Sequence, residues 1–333
     1  MSKQKILVIG SNSFSGSHFV SESIRNDFLV WGVSRSLEPL DIFLPYKWNN
    51  NISENFSYNI INLNTQLEKL IELIDSVEPE YIVNFAAQGM VAESWQNPTD
   101  WYKTNVLSQV AFHDKLRKRK FIKKYVHVTT PEVYGNTGEK WIKEHNCFSP
   151  TTPYAVSRAS CDLHLHSFYK AYEFPVVFTR AANVYGPGQQ LYRIIPRTLL
   201  STLTHEKMQL HGGGASKRSF IHISDVVKAT LKLAVEAPPG SSWHISTTES
   251  ITIKNLVKKI CSIANVKFSS IVDITDDRLG KDQNYLLDSS SIRKEFGWSP
   301  KIDLDEGISE TLDWVDSNLD KLKKIPWKYI HKS

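Results

Sequence analysis

The sequence predicts an α/β protein, a doubly wound parallel sheet with a smaller C-terminal lobe interleaved with it. Three observations carry this. Short apolar runs alternate with longer amphipathic ones through the first half of the chain, and that alternation places helices on both faces of a parallel sheet. A loop of small residues, Gly10-Ser11-Asn12-Ser13-Phe14-Ser15-Gly16, follows the first apolar run. After Gly186-Pro187-Gly188 the alternation loosens, as a second lobe requires.

Taken in order, the expected strands are Lys5–Ile9, Phe28–Val33, Tyr58–Ile61, Tyr81–Phe85, Tyr125–Thr129 and Pro175–Thr179, with helices near 15–25, 65–76, 99–117 and 153–172. Beyond 188 a helix is expected near 195–205, a strand at Phe220–Ile223 and a helix at 224–236. Ser242–Ser246 returns to the sheet, and helices near 253–263, 289–295 and 304–322 follow. The expected division is a nucleotide-binding domain over 1–187 with a return segment at about 219–247, and a substrate lobe from 188–218 and 248–333.

With 333 residues the chain can bury a sizeable core. A net charge of +5 is small for this length. It suits anionic small ligands and gives no sign of a nucleic-acid partner. Cys147, Cys161 and Cys261 lack metal-like spacing and fit a reducing compartment. No metal site is expected, because His164 and His166 point to different helix faces. The run Ile6–Ile9 is too short to span a membrane and no signal peptide is evident, so a cytoplasmic location is expected.

Gly10 permits a tight turn after the first strand, and Gly16 permits close helix–sheet packing. The following helix offers free N–H groups and partial positive charge to a pyrophosphate. Ser13 stands where a glycine is usual, and its hydroxyl either fits passively or bonds phosphate. Gly10, Ser13, Phe14 and Gly16 are therefore cofactor candidates in a Rossmann-type site. At the end of the second strand comes Ser34-Arg35, with no carboxylate. An NAD site usually has an acid there, whereas an arginine suits a 2′-phosphate, so NADP is favoured over NAD. Asn62 and Leu63 follow the third strand, near the adenine edge. Ala86 and Ala87 follow the fourth, where a backbone can pass the cofactor closely.

Tyr154 and Arg158 stand one helical turn apart on one face of the 153–172 helix. A cation at that spacing favours the phenolate, which makes a tyrosine a base. These residues, with Asn84–Gln88, Thr130–Gly135, Arg180–Pro187, Arg218–Asp225 and Tyr285–Asp288, resemble the extended short-chain dehydrogenase/reductase family of nucleotide-sugar epimerases and dehydratases. The resemblance covers nearly the whole chain.

It implies a nucleotide-sugar substrate that passes through a 4-keto intermediate. Tyr154 would be the base at the sugar 4-hydroxyl, Thr130 would bond the same oxygen, and Glu132 would remove the C5 proton. Gln88, Asn183, Arg193, Arg197, Arg218 and Arg278 become the substrate-binding candidates, and Gly212–Gly214 a flexible turn. The helices near 99–117 and 153–172 match a homodimer interface in relatives. Two positions depart from the family pattern: Arg158 stands for the expected lysine, and Pro131 for the acid that protonates the leaving 6-hydroxyl. A 4,6-dehydratase is the leading expectation, with a 4-epimerase or a decarboxylase as alternative. A catalytically silent dinucleotide-binding regulator or scaffold is the rival of another class.

Overall fold

A computed structural model describes residues 3–48, 54–276 and 284–332. Its first elements are β1 (Lys5–Ile9), α1 (Phe14–Arg25), β2 (Leu29–Ser34), β3 (Phe56–Ile60), α2 (Leu67–Val77) and β4 (Tyr81–Asn84). There follow α3 (Val91–Gln96), α4 (Pro98–Tyr102), α5 (Ser108–Leu116), β5 (Lys124–Val128), β6 (Trp141–Ile142), α6 (Pro153–Tyr172) and β7 (Val176–Ala181). Among the described residues, β1–β5 and β7 join β12 (Ser242–Ile245) in a seven-stranded sheet of order β12-β7-β5-β4-β1-β2-β3. Its strand pairs are all parallel. Strand order reverses between β1 and β4, and ligands bind at such a point, outside the carboxyl ends of the strands.

Period-two alternation explains why β1 is central. Ile6 and Val8 pack with Phe19, Val20, Ile223 and Val227 on one face, while Leu7 and Ile9 pack with Leu70, Ile74, Phe112 and Leu165 on the other. Both faces are covered, so the strand reads as a continuous apolar run.

The chain between β7 and β12 supplies β8 (Asn183–Tyr185), α7 (Ile194–Thr204), β9 (Met208–His211), β10 (Lys217–Arg218), β11 (Phe220–His222) and α8 (Ile223–Glu236). Beyond β12 lie β13 (Ile251–Thr252), α9 (Ile253–Ile263), α10 (Phe268–Ile271), β14 (Val272–Thr275), β15 (Asn284–Leu287), α11 (Ser290–Phe296), α12 (Leu304–Ser317) and α13 (Leu319–Leu322). A separate apolar cluster of Tyr185, Leu199, Leu256, Ile260, Ile308, Trp314 and Val315 forms here. Two buried polar contacts tie this cluster's elements back to the sheet side. Trp314 Nε1 donates to the Ile42 carbonyl at 3.1 Å, and Asp225 Oδ2 accepts from the Lys301 and Ile302 amides at 3.0 and 3.1 Å.

Two expected helices are broken, each for a local reason. The 99–117 segment becomes α4, a π-type turn over Lys103–Leu107, and α5. The extra residue in that turn accompanies the fully buried Asn105, whose side chain binds other chain segments. The 304–322 segment divides at Asn318, whose side-chain amide bonds the Trp314 carbonyl at 2.8 Å and so competes with the helix ladder. Short strands β6, β8, β10 and β13 escaped the sequence pattern because two or three residues carry no periodicity. No helix among the described residues is long and apolar enough to cross a membrane.

Candidate active site

The glycine loop is closed by its own atoms. Gly10 sits at φ +82°, where a Cβ would lie 2.9 Å from the Ala86 amide nitrogen. A Cβ on Gly16 would lie 2.1 Å from the Gly10 carbonyl oxygen. Both positions therefore exclude a side chain. The Ser13 hydroxyl donates to the Gly10 carbonyl at 2.7 Å and accepts from the Gly16 amide at 3.1 Å, capping α1. Of the two readings offered for Ser13, these bonds favour a side chain that fits within the loop. Phe14 opens α1 and is buried, edge-on to His18. Ser34, also buried, accepts from the Asn12 amide at 3.1 Å and so holds the loop against β2.

The fourth-strand end is held more firmly. Asn84 Oδ1 accepts from the Ala86 amide at 2.9 Å, and its Nδ2 donates to Gln109 and to Tyr125 at 2.8 Å each. Asn105 clamps Gln88 by both backbone groups, at 2.9 and 3.0 Å, and also reaches Ser157 on α6 at 3.0 Å. This leaves Ala87 exposed toward the strand ends while Gln88 is buried. Asn105, Gln109 and Ser157 were not anticipated from the sequence. Their signal is a pair of amides one turn apart, Asn105 and Gln109, on an otherwise apolar helix face.

At the third strand, Asn62 Oδ1 accepts from the Asn64 amide at 2.9 Å in a local turn, and Leu63 lies in the core. The Leu63 side chain thus packs in the core, so what it could offer a cofactor is its backbone. Arg35 is exposed beyond β2, and its NH2 donates to the Lys332 carbonyl at 3.0 Å. That bond engages the cation on which the preference for NADP rested.

Tyr154 stands in the first turn of α6, whose N-cap Thr152 accepts from the Ala155 amide at 3.1 Å. The Tyr154 amide is held by Ser94 Oγ at 3.2 Å, and its phenol shares a hydrogen bond with Thr130. Thr130 caps the Pro131–Tyr134 turn by accepting from the Glu132 amide at 3.3 Å. Burial raises the Tyr154 phenol above its ordinary pKa and Glu132 adds to the rise, while Arg158, the Thr130 hydrogen bond and Arg193 oppose it. The net direction is upward. Arg158 acts in the expected direction, but desolvation outweighs one cation.

Arg158 is buried rather than a surface residue of the helix. Its NH2 donates to the Val128 carbonyl and lies 3.4 Å from His127 Nε2. His127 stands 3.3 Å from Asp162, and Asp162 holds Arg180 at 2.7 Å and Thr129 at 3.1 Å. Burial alone would raise the Asp162 carboxyl, but Arg180 and then His127 hold it down at about 2. Burial lowers His127 to about 4 against the pull of Asp162. Two buried guanidiniums thus face one carboxylate beneath Tyr154, leaving a positive excess (Arg158 and Arg180 against Asp162).

One buried trio among the described residues, His113, His127 and Cys161, brings potential metal-ligand atoms within 4.8 Å. His113 Nε2 is taken by the Tyr125 hydroxyl at 2.9 Å. A dication would also add to the existing positive excess, so the surroundings oppose one. His164 stacks on His113 and His166 on Phe178, so these two do not converge.

The substrate candidates reach the site from several elements. Asn183 accepts from the Tyr285 hydroxyl at 3.1 Å, and Arg218 lies 4.2 Å over the Tyr285 ring. Burial raises the Tyr285 phenol, Arg218 opposes the rise and Glu132 adds to it, which links Tyr285 with the Glu132 turn. Tyr285 opens one of the motifs that carry the resemblance, and the sequence assigned it no role of its own. Arg193 occupies the N-terminal cap position of α7 without a side-chain capping bond and influences Tyr154, while Arg197 covers Trp327 at 4.9 Å. Arg278 lies outside the described residues. The site therefore joins a phenol, a hydroxyl and a carboxylate at the ends of β4 and β5, with cations entering from β10 and α7.

Comparison with known proteins agrees with this arrangement. The family profile for GDP-mannose 4,6 dehydratase matches residues 7–311. The dTDP-D-glucose 4,6-dehydratase of Homo sapiens is 30% identical over 342 residues, covering 99% of this chain and 93% of the human protein. The crystal structure of dTDP-glucose 4,6-dehydratase from Bacillus anthracis in complex with NAD superposes with TM-score 0.85 at 27% identity, covering 95% of this chain and 98% of the other. The UDP-glucose 4-epimerase of Thermotoga maritima, with UDP-glucose, gives TM-score 0.85 at 27% identity and covers 95% of this chain and 100% of the other.

Proposed function

The chain belongs to the GDP-mannose 4,6 dehydratase family of nucleotide-sugar enzymes, and on that premise we propose that it is an NDP-sugar 4,6-dehydratase that uses NAD. The observation that carries the reaction is the grouping of the half-buried Tyr154 and Glu132 about the buried Thr130. The loop over Gly10–Gly16, the start of α1, Ser34 and the Ala86–Ala87 backbone would hold the cofactor, with Arg158 beneath its reactive end. A bound nicotinamide would supply the hydride acceptor and a positive charge beside Tyr154. NAD is proposed because relatives bind it and because Arg35 is engaged elsewhere.

Tyr154 takes the proton of the sugar 4-hydroxyl, with Thr130 orienting that oxygen. Oxidation at C4 acidifies the C5 proton. Glu132 removes that proton and, since Pro131 has none to give, returns it to the departing 6-hydroxyl. One water leaves and a C5–C6 double bond forms. The hydride that left C4 returns at C6, and the proton that Tyr154 took from the 4-hydroxyl balances protonation at C5, which completes the 4-keto-6-deoxy product. The lobe from 188–218 and 248–333 would take the nucleotide, with Arg218, Arg193, Arg197 and Asn183 toward its diphosphate and sugar.

Pro131 favours a second reading, a 4-epimerase, which needs no acid at C6. Product analysis by NMR on a panel of UDP-, GDP- and dTDP-hexoses separates the two. A 4-keto-6-deoxy sugar supports dehydration, and a C4-inverted sugar without keto product contradicts it. We also propose a cytoplasmic homodimer. Exposed Trp95, Tyr102, Leu107, Leu163, Tyr169 and Tyr172 give α3 to α6 an apolar surface suited to a second copy. Sedimentation at micromolar concentration checks this, and a monomeric parent protein would refute it.

A further inference from the structure

The segment from Ile325 to Lys332 crosses from α7 to the strand ends of the central sheet. Trp327 donates its indole N–H to the Leu322 carbonyl at 2.8 Å and lies under Arg197. Tyr329 meets the Tyr192 ring edge-on at 5.3 Å. His331 stacks on Trp101 with ring centroids 5.2 Å apart and planes 12° apart, and its Nε2 stands 2.7 Å from Asp100 Oδ2. The Lys332 carbonyl then accepts from Gln88 Nε2 at 2.6 Å and from Arg35 NH2 at 3.0 Å.

That carbonyl bridges residues beyond the ends of β2 and β4. These strands flank β1 and the N-terminus of α1, where the cofactor reading places the dinucleotide. Arg35 is the cation that a 2′-phosphate would seek. With the segment in place its guanidinium is committed to the Lys332 carbonyl, and a partially negative oxygen stands where the phosphate would approach. A 2′-hydroxyl carries no charge to repel and does not need Arg35.

We propose that residues 325–332 form a specificity strap, latched by His331 on Asp100 and Trp101, that discriminates against the 2′-phosphate of NADP and thereby selects NAD. This rests on the dinucleotide reading of the site. Specificity here comes from a repulsive and competing group rather than from an added attraction.

The test uses the full chain and two single variants, His331→Ala and Asp100→Ala, each of which removes the latch and leaves Arg35 and Gln88 in place. Affinities for NAD and NADP are measured by titration calorimetry, and strap release is followed by tryptic cleavage after Lys328. Both variants are expected to cleave faster and to lose at least about tenfold of the preference for NAD, the size of one charge-assisted hydrogen bond. Adding Arg35→Ala to either variant restores the preference. Faster cleavage with unchanged discrimination overturns the proposal, and so does unchanged cleavage in both variants. If the parent binds neither dinucleotide, the cofactor reading itself fails, which is a separate result from a parent that binds NAD and NADP equally.

Discussion

At Tyr154 two influences oppose each other. Burial and Glu132 favour the neutral phenol, while Arg158, Thr130 and Arg193 favour the phenolate. Tyr154→Phe keeps the ring and removes the proton acceptor, so it is expected to lower turnover by about 10²- to 10⁴-fold with substrate affinity retained, as steady-state kinetics will read. Arg158 acts through its charge. Arg158→Lys keeps that charge and is expected to hold turnover within about tenfold, whereas Arg158→Met shifts the acidic, ascending limb of the pH–rate profile to higher pH. An unshifted profile in Arg158→Met would remove Arg158 from the account. The Tyr154–Arg158 pair was legible from spacing alone. The burial of Arg158 between Val128 and His127 was not, because it depends on β5 lying beneath α6.

Among the elements, the β1–α1 loop shows why sequence patterns find Rossmann-type sites. The requirement at Gly16 is set within seven residues, by the Gly10 carbonyl. Gly16→Ala places a methyl group where that oxygen stands. It is expected to lower stability by about 1–3 kcal/mol and to weaken dinucleotide binding, as denaturant melts and titration will show. The Ala86–Gln88 loop is the opposite case. Its position is fixed by Asn105, Gln109 and Ser157 from two later helices, so no local pattern discloses it. Asn105→Ala removes the clamp on both backbone groups of Gln88 and leaves buried polar atoms unpaired, at a cost of about 1–3 kcal/mol. Leu63 is a similar case: tertiary packing puts its side chain in the core, which its place after a strand does not disclose.

For the whole molecule, buried histidines set the response to acid. Burial lowers His127 and His222 to about 4 and His18 and His244 to about 3. Their unfolded pKa is higher, near 6.5, so the unfolded chain binds protons that the fold excludes. Their contribution is complete above about pH 6.5 and falls as pH drops toward the folded values. For His127 alone the full loss is about 3 kcal/mol. Asp162, held near 2, loses its contribution only below about pH 4, by the same linkage. Thermal melts should therefore fall most steeply between pH 6.5 and 4 and more gently below, where His127 and His222 charge in the fold as well, and a flat profile to pH 5 would contradict the burial of these imidazoles. The parallel sheet with helices on both faces followed from hydrophobic alternation over long runs, whereas its strand order comes from the structure. The union of lobes around Glu132 and Tyr285 depends on contacts between residues more than 150 positions apart in sequence, and only the resemblance to a family hinted at it.

The account claims that C4 and C6 of one sugar exchange hydrogen within one active site. The most direct measurement uses a nucleotide hexose deuterated at C4 and follows the label by NMR. Intramolecular 4,6-dehydration predicts deuterium in the C6 methyl group of a 4-keto product. Deuterium returned to C4 of an inverted sugar, with C6 unlabelled, would contradict it.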